Sequence, residues 1–209
     1  MVVLNSIKVF GFFIMLGILS CSGQDRGTIL GGPCEGCEAI HEYGDRKLSP
    51  VDTLPLFGLE PKLKITGTVF KKDGKTPAEG VILYIYHTDR QGIYRKIGEE
   101  KGWGRRHGSI RGWVKTGSDG KYTFYTFRPG AYPDRGEPEH IHMTIKEPGK
   151  KEYYVDDYTF EDDILLTEER RKRKRNRAGS GIVMPTRKEG DIYVVERDLF
   201  LGKNIPNYD

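Results

Sequence analysis

Cysteine, tryptophan and histidine are scarce in this chain of 209 residues, with three, two and five copies. Three cysteines cannot make a disulfide-dense scaffold. They cannot make a four-thiolate zinc ribbon either, because the Cys34-x-x-Cys37 pair has no second pair to complete it. No βαβ pattern surrounds that pair, which argues against a thioredoxin-like dithiol. No histidine follows His142, so a metal site built from imidazoles alone would lack later partners. Long apolar runs are missing too: Val9 to Leu19 is too short to span a bilayer. Nor is there an excess of one charge. Lys and Arg number 34 against 30 Asp and Glu, a net charge of +4, and nothing global calls for a nucleic-acid partner.

What is present points to turns and strands. Gly 27, Pro 11 and Tyr 12 favour a β-rich fold. The N-terminus has Lys8, the apolar run and then "ILSC", the layout of a secretory signal over residues 1–20. Its end resembles a bacterial lipobox, which implies lipidation at Cys21 and membrane attachment through acyl chains. The expectation is an exported bacterial lipoprotein, periplasmic or anchored at the outer membrane or cell surface. In such a compartment Cys34 and Cys37 read as a local structural disulfide. Residues 21–62 read as a tether and irregular segment, and residues 63–209 as one domain.

Within that domain "LKITGTVF" alternates apolar and polar residues, "GVILYIYHTD" is a β-branched and aromatic run, and "IRGWVKTGSDGKYTFYTFRP" reads as a strand pair around an Asp119-Gly120 turn. "EHIHMTIKE" and "EGDIYVVERDLFL" add strands. "TEERRKRKRNRAG" is compatible with a short surface helix capped by Thr167, its basic run Arg170 to Arg177 solvated. This succession predicts an all-β fold, a β-sandwich.

The chemistry gathers in "RPGAYPDRGEPEHIHMTI". In a strand, residues i and i+2 share a face, so His140 and His142 project together. Imidazole is a common transition-metal ligand, but His-x-His alone is a weak signal. Tyr132, before a proline in the same stretch, and Tyr94, at the end of "GVILYIYHTDRQGIYR", are each unremarkable alone among 12 tyrosines. Taken in order, Gly92-Ile93-Tyr94, Tyr132-Pro133 and His140-Ile141-His142 resemble the intradiol ring-cleavage dioxygenases, the family of catechol and protocatechuate dioxygenases. The resemblance runs from about Ile65 to Ile145. It implies Fe(III) held by Tyr94, Tyr132, His140 and His142, with Tyr132 also taking a substrate proton. It further implies O2 and a small aromatic diol as substrates, the ring opening between the two hydroxyl-bearing carbons.

The pattern departs from the family in places. Glu137 stands where the family carries an arginine three residues before the first histidine, and Arg135 is the candidate to replace that cation. "YYVDDYTFEDD" supplies no glutamine and reads as a solvated acidic loop. His87 reads as either a pocket residue or an exposed strand-end histidine. The alternative function is an exported, non-catalytic binding module on the same sandwich.

Overall fold

The computed structural model describes residues 29–209, so residues 1–20 and Cys21 lie outside the described residues. The strands are β1 Val51–Thr53, β2 Lys62–Phe70, β3 Ile82–Tyr86, β4 Arg111–Lys115, β5 Lys121–Phe127 and β6 His140–Lys146. They continue as β7 Tyr153–Tyr154, β8 Tyr158–Phe160, β9 Ile182–Val183, β10 Arg187–Glu189, β11 Ile192–Glu196 and β12 Leu199–Phe200. Helix is limited, among the described residues, to α1 Gly104–His107, α2 Glu168–Lys172 and a 3-10 turn at Cys37–His41. One sheet has the order β1-β5-β2-β11-β10 with β12 also on β2, and the other β4-β3-β6-β8-β9 with β7 also on β6. The chain is the all-β sandwich its strand texture predicts.

Period-two alternation separates core from site. Leu83 and Ile85 of β3 and Ile141, Met143 and Ile145 of β6 join Leu63, Ile65 and Phe124 of the first sheet in one buried cluster. Each fully buried side chain of this size is worth about 1.5–3 kcal/mol. The residues between them, Tyr84, Tyr86, His140 and His142, therefore face the other way. That outer face is covered in part by the N-terminal segment: Ala39 and Ile40 pack with Tyr84 and Trp113 in a second buried cluster. Trp113 Nε1 donates to the Ala39 carbonyl at 3.2 Å, and β1 pairs in parallel with β5. The segment expected to be irregular is thus partly regular and packed on the sandwich.

The expected hairpin around Asp119-Gly120 is corrected. β4 pairs with β3, whereas β5 pairs with β1 and β2, so the turn carries the chain from one sheet to the other. Gly120 adopts φ +67°, and a Cβ there would stand 2.6 Å from the Val69 carbonyl oxygen. The Asp-Gly pair encodes a tight turn and a close approach. It does not encode which strands then pair.

Most of the basic run is solvent-facing as expected, Lys172, Arg173 and Arg175 being exposed, but its last residue is folded back on the protein. Thr167 caps α2 by accepting the Arg170 N–H at 3.4 Å. Beyond the helix, Arg177 is 2% exposed, its guanidinium 4.0 Å above the Tyr154 ring and donating to the Gly31 carbonyl at 3.0 Å.

His87 does stand at the end of β3, but it is not exposed; the structure buries it at 1% exposure, away from the cleft. Its Nδ1–H donates to the Thr88 carbonyl at 2.7 Å, because a carbonyl only accepts, and its Nε2 accepts from Thr126 Oγ1 at 2.6 Å. Burial lowers its pKa to about 4. A depressed folded-state pKa gives stability that is full above the unfolded value near 6.5 and is lost as pH falls through about 4. Urea unfolding followed from pH 7 to pH 4 should show His87→Gln losing less stability than the wild type, the difference approaching about 3 kcal/mol. Parallel losses would remove His87 from the account.

Candidate metal centre

His140 and His142 come from β6, Tyr94 from the loop after β3 and Tyr132 from the loop after β5. The two loops are fastened to each other. Asp89, 1% exposed, accepts the N–H groups of Gln91 and Ile93 at 2.8 and 3.1 Å and the Arg95 Nε–H at 2.8 Å. Thr88 Oγ1 donates to the Gly130 carbonyl at 2.8 Å, and Arg90 donates to the Arg128 and Pro129 carbonyls at 2.7 and 3.0 Å. Gly92 has φ +75°, and a Cβ there would lie 1.9 Å from the Ala131 carbonyl oxygen. The glycine of Gly92-Ile93-Tyr94 is what lets the two tyrosine loops touch.

The four predicted ligands converge. The Tyr94 and Tyr132 hydroxyls are hydrogen-bonded to each other. His142 Nε2 lies 2.9 Å from the Tyr94 oxygen and 3.4 Å from the Tyr132 oxygen, and His140 Nε2 lies 3.3 Å from the latter. Both imidazoles have their other nitrogen occupied. His140 Nδ1–H donates to the Pro138 carbonyl at 2.7 Å, and His142 Nδ1–H donates to Asp157 Oδ1 at 3.0 Å. Each neutral ring therefore turns an Nε2 lone pair toward the phenol oxygens. Donors about 3 Å apart suit a coordination sphere with metal–ligand bonds of about 2 Å. Two phenol oxygens with two imidazole nitrogens are a fitting donor set for a ferric ion.

Electrostatics agree with that fit. Burial, then the bond to Tyr132, pushes the Tyr94 phenol well above the usual tyrosine range, and burial raises Tyr132 also. Burial, then the neighbouring His142, lowers His140. Such a cluster holds protonated phenols and a neutral imidazole at neutral pH, and a bound cation would displace the phenol protons.

Asp157 corrects the reading of its loop as merely solvated. Antiparallel pairing of Ile141 with Tyr158 brings the preceding Asp157 alongside His142. Burial opposes the Asp157 charge, but His142, with His140 and Lys174, outweighs it and holds the carboxyl at about 2. The ligating atoms of Asp157, His140 and His142 lie within 4.8 Å of one another. Asp157 nevertheless engages the nitrogen of His142 that faces away from the phenols, which makes it the ring's orienting partner.

A cleft of about 400 Å³ opens over Tyr94, Tyr132 and His142; Tyr86, Trp103, His107, Arg106, Arg135 and Glu35 also line it. Arg135 stands with its guanidinium 5.5 Å from the Tyr132 ring centre. Tyr86 stacks on His142 at 4.5 Å, and β3–β6 register places the two residues opposite each other. Tyr86, His107 and Asp157 carry no local sequence signal, since pairing across the sheet and loop packing bring them here. The disulfide is formed between Cys34 and Cys37, with Cα atoms 5.7 Å apart.

Comparison with known proteins bears on the family and the fold. A family model described as Dioxygenase matches residues 57–178. Catechol 1,2-dioxygenase 1 of Acinetobacter lwoffii is 33% identical over 95 residues, covering 44% of this chain and 30% of that protein, so the chain matches under a third of that relative's length. The dioxygenase domain of a dioxygenase–carbohydrate-binding protein fusion from Streptomyces sp. SirexAA-E matches with a TM-score of 0.56 at 24% identity, over 81% of this chain and 95% of that one. Hydroxyquinol 1,2-dioxygenase from Pseudomonas putida DLL-E4 matches with a TM-score of 0.54 at 16% identity, over 75% and 62%. At these identities the structural likeness concerns the fold.

Replacing Asp157 by Asn keeps the shape but removes the charge that orients His142. Ferric affinity of Asp157→Asn, measured by competition with a chelator, should fall about 10- to 100-fold. Unchanged affinity would leave Asp157 a surface carboxylate.

Proposed function

The chain belongs to the intradiol ring-cleavage dioxygenase family, and from that premise we propose that it is a non-haem Fe(III) dioxygenase. It opens the ring of a catechol-like aromatic between its two hydroxyl-bearing carbons, using O2. The observation that carries this reading is the meeting of two phenol oxygens with two Nε2 atoms whose rings are each fixed from behind.

Tyr94, Tyr132, His140 and His142 would hold the metal. When bound, a ferric ion would supply a Lewis acid for the diol oxygens and an acceptor of electron density from the ring. The protein's part is to hold and orient. His140 and His142 keep their lone pairs toward the metal because Pro138 and Asp157 take their Nδ1 protons. Tyr132 is in hydrogen-bond contact with Tyr94 and also close to both histidines, so its phenolate oxygen is placed to accept the proton of a substrate hydroxyl. At Tyr132 burial raises the phenol pKa, the bond with Tyr94 lowers it, and among the nearby charges Glu137 and Asp157 raise it while Arg135, the weakest of these influences, lowers it. Arg135 is accordingly the cation that favours the Tyr132 phenolate. Tyr86 and Trp103 give the cleft aromatic walls that suit a planar ring.

We also propose that the protein is exported and anchored through lipid on Cys21. Cys21→Ser should shift it from the membrane fraction to the soluble one, and retention in the membrane would refute lipid anchoring.

The enzymatic reading is tested on protein purified in air, with its iron content determined. A broad visible tyrosinate-to-iron absorption is expected, shifting on addition of catechol, with O2 uptake and a ring-opened diacid. In Tyr94→Phe the band and the iron should both fall, by more than the about 10- to 100-fold of an outer-shell change. Protein that remains colourless after iron loading would overturn the ferric reading and favour the non-catalytic binding module.

A further inference from the structure

The basic run that begins in α2 meets two other parts of the chain at one edge of the molecule. Arg177 donates to the Gly31 carbonyl at 3.0 Å. The Ala178 N–H donates to the Lys203 carbonyl at 2.9 Å, and Asn204 Nδ2 donates to the Arg175 and Asn176 carbonyls at 3.1 and 3.2 Å. The turn after β12 is bonded in its own right to the first described residues. Gly31 N–H donates to the Pro206 carbonyl at 2.7 Å, and Asn207 Nδ2 donates to the Ile29 carbonyl at 2.9 Å. Hydrogen bonds thus fix the end of the basic run, residues 203–207 and residues 29–31 side by side.

What this edge presents to solvent is positive. Lys172, Arg175 and Lys203 are exposed, and none of them has an ion pair among the described residues. The acids of the same segments are already engaged. Glu169 pairs with Arg173, Glu161 and Glu168 with Arg171, and Asp209 with Lys72. Asp156 accepts the N–H groups of Asn176 and Arg177 at 2.9 and 3.2 Å. Ile29, 55% exposed, adds an apolar side chain. Cations without acidic partners around an exposed apolar residue match the boundary of an anionic leaflet, where phosphates meet the first methylenes.

The layout of the chain chooses among polyanions. Ile29 is eight residues from Cys21, so the two stand at most about 29 Å apart. Lipid on Cys21, as proposed above, would hold this edge within that distance of a leaflet. We propose that Lys172, Arg175 and Lys203, beside Ile29, form a membrane-docking surface that lies on anionic phospholipid headgroups. The choice of partner rests on the proposed lipid anchor and not on the metal site. Acyl chains alone attach a domain without orienting it, and a second, electrostatic contact fixes which edge faces the membrane.

Vesicle sedimentation tests this on the full chain carrying Cys21→Ser, so that lipidation does not enter. The readout is partition onto mixed phosphatidylcholine–phosphatidylglycerol vesicles divided by partition onto phosphatidylcholine alone, a ratio that cancels purely apolar attachment. At about fivefold for each surface cation, three of them should give a ratio on the order of 100, falling as salt is raised. Combining Lys172→Gln, Arg175→Gln and Lys203→Gln should bring the ratio near one. Combining Lys47→Gln, Lys96→Gln and Lys101→Gln, the same loss of charge at other exposed lysines, should leave it unchanged. A ratio near one in the Cys21→Ser chain, an equal loss in both triple variants, or binding to a DNA duplex with none to anionic vesicles overturns the docking surface. Retention of Cys21→Ser in the membrane fraction refutes the anchor instead, and a high ratio lost only in the first triple variant still upholds the surface.

Discussion

Everything at this site depends on β6 having two faces that cannot be exchanged. Ile141, Met143 and Ile145 are locked between the sheets, and a slip of one residue would drive both histidines into that core. The hydrophobic effect on one face thus fixes the position of the imidazoles on the other. The same alternation in β3 puts Leu83 and Ile85 into the core and leaves Tyr84 and Tyr86 on the histidines' face, Tyr86 opposite His142. Core packing and site geometry are one constraint read from two sides.

How much of this was legible in sequence depends on range. His140 and His142 could be placed together because a strand's period is local. Tyr94 and Tyr132 could be added because each sits in a short motif, and their meeting is explained by Gly92 against Ala131. The Asp119-Gly120 turn was legible as a turn, but its reading as a hairpin failed. The positive φ that glycine allows is local, whereas partner choice depends on which strand has a free edge in which sheet. Asp157 was illegible for a related reason: only the β6–β8 register makes it His142's neighbour. His107 lay in a run of Gly, Arg and Trp with no motif of its own. The basic run was legible as solvated except at its last residue, because the Tyr154 ring and Gly31 carbonyl that receive Arg177 are not visible in the local sequence.

The N-terminal segment has a larger part than its composition suggests. Ala39 and Ile40 seal Tyr84 and Trp113 on the outer face of the second sheet. Glu42, one turn further on, accepts the Trp103 N–H at 2.8 Å and binds Arg111. The Cys34–Cys37 loop lines a smaller cavity of about 210 Å³ together with Tyr86, His142 and Asp157. A segment that would expose its own backbone as a tether is stabilised here by apolar contacts and by the half-buried Glu42–Arg111 ion pair. In return it builds walls around the cleft that the sandwich alone does not provide.

Charge gives the last step. Burial disfavours ionisation of every phenol in the cluster, Tyr86 included, whose pKa is raised. Without a cation the cluster is a neutral knot of hydrogen bonds, which keeps the donors together at no cost in like-charge repulsion. Removing two phenol protons is favourable only if a high positive charge arrives in their place, so the site discriminates by charge as well as by donor type. Monovalent ions cannot balance two phenolates, and a divalent ion would leave no positive charge to attract a further anion. A trivalent ion would leave the four-ligand site with a residual charge near +1, which is what the proposed binding of an anionic diol requires. Arg135 and the Arg106–Glu35 pair extend that preference outward into the cleft. In the ferric reading, the fold that buries the tyrosines would therefore also set the charge of the metal they accept.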